Sequence, residues 1–154
     1  MSGKLIIMVG LPRSGKSTWI EDFRKKNDCI VVSNDWIREN VFHVKYYHSI
    51  NPALWTISDG CIRILLSQDK TVVVDGVNHT RFVRGEFIKT GKDMGADIEI
   101  VYIDTSFATC LRRNNKLPNE RLIQMADEFE IPTNEEAPVK IVTIKDTYNE
   151  NSSN

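Results

Sequence analysis

The stretch Lys4–Ser17, with the sequence KLIIMVGLPRSGKS, decides the fold of this chain of 154 residues. Its first part, Lys4–Val9, is an apolar run of strand length, and the segment Lys16–Lys26 has the periodicity of an amphipathic helix. Between them the residues match G-x-x-x-x-G-K-[ST] in full, a pattern whose glycines let backbone N–H groups point at a phosphate. Because the match follows a strand and opens a helix, it predicts a phosphate-binding loop rather than a chance occurrence.

The loop residues are expected to bind different parts of a nucleotide. Lys16 reaches the β- and γ-phosphates, Ser17 ligates Mg²⁺ through its hydroxyl, and Thr18 touches the α-phosphate. The predicted ATP-binding residues are Gly10, Leu11, Pro12, Arg13, Ser14, Gly15, Lys16, Ser17 and Thr18. The motif predicts nucleotide binding without fixing a reaction, because ATPases and GTPases also contain it. The N-K-x-D pattern of GTPases is absent from the sequence.

Strand and helix patterns alternate along the rest of the chain. Strands are predicted at Lys4–Val9, Cys29–Ser33, Thr71–Val74, Ile98–Ile103 and Val139–Ile144. Helices are predicted at Lys16–Lys26, Asp35–Val44, Ile57–Ser67, Thr80–Met94, Ser106–Asn115 and Asn119–Glu130, with an irregular segment broken by Pro52 before the third. This alternation predicts an α/β sandwich with a mostly parallel five-stranded sheet and helices on both faces. Residues 1–145 form one predicted domain, and residues 146–154 are predicted to be disordered.

Composition and charge indicate a soluble globular protein and exclude several other classes of protein. Charged residues make up 27% of the chain and hydrophobic residues 41%, which is typical of a soluble globular domain and excludes a wholly disordered chain. No apolar run approaches the ~18 residues of a membrane helix, so no membrane partner is expected. Three scattered cysteines without a CxxC pair favour a reducing cytoplasm. The acidic excess lies in residues 123–154, and the mildly basic remainder weakly favours a phosphorylated ligand.

Asp35 and Arg38 are candidates for the acceptor side of a phosphoryl transfer. Asp35 directly follows the second predicted strand, and ligands of doubly wound sheets sit outside the carboxyl ends of the strands. A carboxylate there can take the proton from an acceptor hydroxyl. Arg38 lies three residues later on the same helix face and can hold an anionic group of the acceptor. The alternatives, a helix cap for Asp35 and a solvated surface residue for Arg38, remain open.

Further candidates lie later in the chain. Asp75 ends the strand TVVV and is expected to hold Mg²⁺ directly or through water, although Asp-Gly is also a common turn. Arg112 and Arg113 precede Pro118, where a helical lid carrying arginines could close over the triphosphate and stabilise the transferring charge. A solvated basic face is the alternative for these two arginines. An aromatic cluster of Tyr46, Tyr47, His48 and Trp55 is assigned either to base stacking or to the core.

The combination of GLPRSGKSTW, SNDWIR, VVVDGVN followed by Arg84, and LRRNNK resembles the 5′-kinase domain of phage-type polynucleotide kinases, from about Lys4 to Glu130. The resemblance implies a P-loop kinase-type fold and transfer of the ATP γ-phosphate to a 5′-hydroxyl of DNA or RNA with Mg²⁺. It implies that Asp35 is the general base, that Arg38 contacts the acceptor phosphate, and that Arg113 is the catalytic lid arginine beside Lys16.

Two features depart from the family pattern. Gly76 stands where the family often has an aspartate, and the lid segment is shorter, with Leu117-Pro118 in place of basic residues. The phosphatase motif D-x-D-x-T of larger members is absent, so kinase activity alone is expected, in the cytoplasm or in the host cytoplasm if the protein is phage-encoded.

Two rival functions remain open from the sequence. A P-loop kinase of a small hydroxylated molecule, such as a nucleoside or a sugar, is favoured by the near-neutral net charge of −1. A regulatory ATPase without an acceptor is disfavoured by Asp35, because a switch needs a positioned water rather than a base for a hydroxyl. The choice between DNA and RNA and the oligomeric state are not fixed by the sequence.

Overall fold

The computed structural model describes residues 3–45 and 48–145, which contain a five-stranded sheet with the strand order β2-β3-β1-β4-β5. Strands β1 to β5 span Lys4–Val9, Ile30–Ser33, Thr71–Asp75, Asp97–Asp104 and Val139–Thr143. Helices α1 to α6 span Lys16–Lys26, Asn34–Asn40, Asn51–Ser67, Arg81–Asp93, Phe107–Arg113 and Asn119–Asp127, and a 3₁₀ turn at His48–Ile50 precedes α3. All four strand pairings are parallel. The prediction of an α/β fold is confirmed, and the sheet is parallel throughout rather than mostly parallel.

Two buried layers of side chains cover the two faces of the sheet. On β1, Leu5 and Ile7 face a cluster that includes residues of α3 and α4, while Ile6 and Met8 face a cluster that includes Ile20 of α1. This alternation follows from the two-residue repeat of a strand, and the continuously apolar run of β1 allows both faces to be covered. The predicted placement of helices on both faces is therefore confirmed.

The segment around Pro52 differs from the prediction. Helix α3 begins at Asn51 with Pro52 in its first turn, where a missing N–H costs no helical hydrogen bond. Trp55 therefore lies on α3 and packs against Phe87 with ring centroids 4.8 Å apart, so it belongs to the core and not to a stacking surface. Helix α2 ends at Asn40, four residues earlier than predicted. The predicted disorder of residues 146–154 and the predicted role of Tyr46, Tyr47 and the His48 side chain lie outside what the structure describes.

The loops that contain the candidate site residues all lie at one end of the parallel sheet, where the strands terminate. Gly10 follows β1, Asn34 follows β2, Gly76 follows β3 and Thr105 follows β4, and all of these positions lie at the carboxyl ends of their strands. Because β1 lies between β3 and β4, the loop after β1 has neighbours on both sides. Among the described residues, no helix is both long enough and apolar enough to cross a membrane.

Candidate active site

The loop after β1 is tightly wound between β1 and α1. The Gly10 N–H donates to the Val77 carbonyl at 3.1 Å, and the Ser14 N–H donates to the Leu11 carbonyl at 3.1 Å. A Cβ atom on Gly10 would lie 2.6 Å from Ser14 Oγ and 3.1 Å from the Ile103 carbonyl oxygen. The loop therefore requires glycine at this position because of a close approach of backbone and side chain.

The side chain of Lys16 folds back onto the first two residues of this loop. Its Nζ atom donates to the carbonyl oxygens of Gly10 at 2.7 Å and Leu11 at 2.9 Å, so the start of the loop and its lysine are tied together. Burial lowers the pKa of Lys16 to about 8, and the negative charges of Asp75 and Asp35 oppose this effect. A buried cation of this kind is stabilised when an anion such as a phosphate approaches it.

Asp75 ends β3, and Asp35 lies in the first turn of α2, just after the adjacent strand β2; both carboxylates interact electrostatically with Lys16. Strands β2 and β3 pair with Ser33 opposite Asp75, so Asp35 follows two residues after that pair. Burial raises the pKa of Asp75, the charge of Lys16 opposes the shift, and the charge of Asp35 adds to it. The fold thus brings together one cation and two carboxylates that are separated in the sequence.

The oxygen atoms at this edge fit a magnesium ion. Within residues 3–45 and 48–145 the half-buried Asp75 carboxylate forms no hydrogen bond or ion pair, and Ser17 lies at the start of α1. The same residues contain no cluster of three or more His, Cys, Asp or Glu side chains suited to a metal. Mg²⁺ bound with phosphates needs only one or two protein oxygens, because water and phosphate fill its other positions. Ser17 and Asp75 are therefore the side chains that would hold it.

Asp35 does not cap α2. The Ser33 hydroxyl caps this helix by accepting a hydrogen bond from the Trp36 N–H at 3.2 Å. Asp35 Oδ1 instead accepts a hydrogen bond from Arg38 Nη1 at 2.5 Å. The Asp35 side chain is 73% exposed and that of Arg38 only 12%, so the pair presents its carboxylate to solvent. The structure thus brings Asp35 and Arg38 together, with Asp35 available for a role other than capping.

Arg113 approaches the phosphate loop from α5. Its Nη1 atom donates to the Arg13 carbonyl oxygen at 3.3 Å. The Arg13 guanidinium in turn donates to Asn115 Oδ1 in the connection between α5 and α6. Arg113 and Lys16 both lower the pKa of the Cys110 thiol, although burial dominates and raises it. Of the two predicted lid arginines, Arg113 therefore contacts the loop; Arg112 precedes it on the same helix, and both residues are exposed.

Sequence reasoning did not identify two residues that fix the loops around the site. Thr105 Oγ1 donates to the Ser14 carbonyl at 2.6 Å and ties the phosphate loop to the end of β4. Asn78 Nδ2 donates to the Met8 carbonyl at 2.8 Å and ties the loop after β3 to β1. Their positions just beyond strand ends were the available signal, but threonine and asparagine are common in such loops.

Arg84, which the sequence motif contained without a role, is fully buried. Its Nε and Nη2 atoms donate to the two carboxylate oxygens of Glu136 at 2.8 and 3.2 Å, and its Nη1 atom donates to the Asn78 carbonyl at 3.0 Å. Burial alone would raise the pKa of Glu136, but hydrogen bonds from Arg84 and the Thr133 N–H lower it. Arg84 therefore supports the loop after β3, and through Asn78 the end of β1.

Comparison with known proteins places the chain among P-loop proteins. A family model described as an AAA domain matches residues 5–135. The L-seryl-tRNA(Sec) kinase of Methanococcus maripaludis is 30% identical over 139 residues, which cover 83% of this chain and 53% of that protein. The chain thus spans about half the length of this curated relative.

Solved structures share the fold at low identity. One from a Pnkp1/Rnl/Hen1 RNA repair complex has a TM-score of 0.73 at 21% identity, covering 82% of this chain and 44% of that one. The APS kinase CysC of Mycobacterium tuberculosis, solved with AMPPNP and APS, has a TM-score of 0.69 at 19% identity, covering 98% and 94%. These similarities show the P-loop kinase fold, and they apply to fold alone.

Proposed function

Because the chain belongs to the AAA domain family, whose model matches residues 5–135, and has the P-loop kinase fold, we propose that it transfers the γ-phosphate of ATP to the 5′-hydroxyl of DNA or RNA. The observation that carries the proposal is the exposed Asp35 carboxylate, held by Arg38 and close enough to Lys16 for their charges to interact. This arrangement supplies a base for a hydroxyl on one side and a cation for phosphates on the other.

The donor nucleotide lies in the loop after β1. Its phosphates replace the Gly10 and Leu11 carbonyls as partners of the Lys16 ammonium, and the loop N–H groups hold the remaining oxygens. Ser17 and Asp75 would hold Mg²⁺, which would supply positive charge to offset the negative charge of the phosphates. The similarity to a kinase solved with the ATP analogue AMPPNP supports this site as the one for the nucleotide.

The acceptor hydroxyl approaches from the side of α2. Asp35 takes the hydroxyl proton as the oxygen forms its bond to the γ-phosphorus, and the bond from that phosphorus to the β–γ bridging oxygen breaks, releasing ADP. Arg38 holds the carboxylate in place through its 2.5 Å hydrogen bond and contacts the phosphate next to the acceptor hydroxyl. Arg113 stabilises the negative charge of the transferring group from the loop side.

Trp36 offers a contact surface for a nucleic-acid acceptor beside Asp35. Its side chain is 60% exposed and follows Asp35 directly on α2. An exposed indole offers a stacking surface for a base, and such stacking tolerates any base sequence.

A second candidate acceptor is the hydroxyl of a seryl group carried on tRNA. It is favoured by the 30% identity to the L-seryl-tRNA(Sec) kinase of Methanococcus maripaludis over 83% of this chain. The same base, Asp35, and the same donor site serve this reaction, because both acceptors present a hydroxyl attached to a nucleic acid. The two candidates therefore differ in the acceptor and not in the chemistry.

Transfer of label from [γ-³²P]ATP to a set of acceptors tests the proposal. We expect labelling of an oligonucleotide with a 5′-hydroxyl and none of the same oligonucleotide with a 5′-phosphate, which is the matched control. Labelling of seryl-tRNA alone supports the second candidate, and labelling of free nucleosides or sugars alone supports a small-molecule kinase. Release of inorganic phosphate without any labelled acceptor contradicts all of these and indicates an ATPase.

A further inference from the structure

Arg13 joins the phosphate loop to the connection between α5 and α6 through both its side chain and its backbone. Its guanidinium donates to Asn115 Oδ1, 102 residues later, and its carbonyl oxygen accepts from Arg113 Nη1 at 3.3 Å. One residue of the loop is thus held by two residues that flank Asn114. We call the three residues Arg13, Arg113 and Asn115 the clasp.

The connection that carries Asn115 is already shaped by Asn114. Asn114 Nδ2 donates to the Leu117 carbonyl at 2.8 Å and to Asn119 Oδ1 at 3.2 Å. Asn114 Oδ1 accepts from the Leu117 N–H at 3.2 Å. The turn after α5 is therefore compact, and Arg113 and Asn115 keep a fixed spacing when they meet Arg13.

The backbone of Arg13 has a conformation that is unfavourable for any residue with a side chain. Its φ angle is +69°, in the left-handed region, whereas the other residue of the loop with a positive φ is Gly15 at +114°. A residue with a Cβ atom is disfavoured there, and glycine is not. Such an outlier persists when the surrounding structure holds it in place, and it indicates a functional constraint. The two contacts across the loop are the interactions that hold Arg13.

We propose that Arg13, together with Asn115, is a positioning residue that holds Arg113 at the phosphate loop, so that its guanidinium is in place when the γ-phosphate is transferred. The expected effect on the rate of phosphate transfer rests on the proposed phosphotransferase function. The contacts among the three clasp residues do not depend on that function. Arg13 then acts through Arg113 and not mainly through its own contact with the nucleotide. Holding the cation in advance avoids the loss of rate that follows from a displacement of about 1 Å.

Four variants test the clasp: Arg13→Gly, Asn115→Ala, the double variant of these two, and Arg13→Gly combined with Arg113→Ala, for which Arg113→Ala alone is the reference. We expect each single variant to lower kcat by about 10-fold to 100-fold with a smaller change in KM for ATP. The double variant is expected to be no worse than either single variant, because both remove the same contact. In the Arg113→Ala background, Arg13→Gly is expected to have no further effect.

Asp69→Gly is the matched control. Asp69 also has a positive φ, +58°, and lies in the turn between α3 and β3, at the opposite edge of the sheet from the phosphate loop. Both glycine variants relieve a left-handed residue, so neither is expected to lower the melting temperature. Arg13→Gly lowers kcat and Asp69→Gly does not. A merely structural role for Arg13 would give the same kcat in both.

Hydrogen–deuterium exchange separates the clasp from the proposed function. Peptides covering residues 107–119 are expected to exchange faster in Arg13→Gly and Asn115→Ala than in the wild type, and at the wild-type rate in Asp69→Gly. Unchanged exchange in both clasp variants, or losses of kcat that multiply in the double variant, overturns the clasp. If the wild type transfers phosphate to no acceptor, the proposed function fails, and the exchange rates still decide the clasp.

Discussion

Raising the pH from 7 to 9 is expected to weaken ATP binding, because Lys16 loses its proton in this range. Burial lowers the pKa of this lysine to about 8, well below its ordinary value of 10.5. Bound phosphates raise the pKa again, since they place negative charge beside the ammonium. At a pH between the Lys16 pKa of the free protein and that of the ATP complex, binding of ATP is accompanied by uptake of one proton. The affinity for ATP therefore falls as pH rises.

The size of the effect follows from the fraction of Lys16 that carries its proton in the free protein. With a pKa of about 8, this fraction is about 90% at pH 7 and about 10% at pH 9, which gives an affinity loss of about tenfold, or ~1.4 kcal/mol. An ordinary lysine would remain protonated throughout and give no loss. The ATP phosphates are largely ionised over the whole range, so they contribute little.

Isothermal titration calorimetry with a non-hydrolysable ATP analogue measures this dependence, with circular dichroism at each pH to confirm that the protein remains folded. Lys16→Arg is the matched control, because a guanidinium stays protonated up to pH 12. Its affinity is expected to be lower at pH 7 but flat to pH 9. An affinity of the wild type that is equal at pH 7 and pH 9 would refute the assignment of Lys16 as a buried, phosphate-binding cation.

Further predictions concern the acceptor side and the support of the site. Asp35→Asn is expected to lower phosphate transfer by about 10²–10⁴-fold with ATP affinity unchanged, and near-normal transfer would remove Asp35 from the mechanism. Trp36→Ala is expected to weaken binding of a 5′-hydroxyl oligonucleotide by about 5-fold to 150-fold in fluorescence anisotropy, whereas an unchanged affinity excludes base stacking there. Oligonucleotide affinity is expected to fall with salt with a shallow slope of about one to three phosphates, and a flat response favours a neutral small acceptor. Arg84→Leu is expected to cost ~3–5 kcal/mol of unfolding free energy in urea denaturation by leaving the Glu136 carboxylate buried and unpaired. The combined Arg84→Leu, Glu136→Leu variant should recover part of that loss, and an equal loss in both would contradict the pairing.

The elements that the sequence predicted best are those with strong local patterns. All five strands were found with ends within one residue of the observed ones, because β-branched apolar runs bounded by turn residues are local signals. Helix ends were less accurate: α2 ends at Asn40 and α6 at Asp127, both short of the predicted Val44 and Glu130. Pro52 was taken for a break although it opens α3, since a proline suits both positions and the choice depends on the packing of Trp55.

The candidate site residues that belong to one contiguous motif, the phosphate loop, could be predicted from the sequence. The roles of candidate residues elsewhere in the chain could not be decided from it. The loop from Gly10 to Gly15 lies between β1 and α1, and Lys16 and Ser17 open the helix, as predicted, because the spacing of the motif specifies the turn. The capping alternative for Asp35 could not be decided, since serine and aspartate are both good caps and only the folded backbone shows that the helix starts after Ser33, whose hydroxyl accepts the Trp36 N–H. The catalytic roles of Asp35, Arg38 and Arg113 and the metal role of Asp75 remain predictions for the experiments above.

The sequence by itself determined the alternation of strands and helices, the phosphate loop and the order in which candidate residues occur. These features depend on interactions within a few residues, which a local pattern records directly. Only the tertiary structure decided which distant residues meet: Arg13 with Asn115, 102 residues apart, and Arg84 with Glu136, 52 residues apart. The reason is that such contacts depend on the strand order β2-β3-β1-β4-β5, and this order follows from how all the apolar faces pack together and not from any one segment.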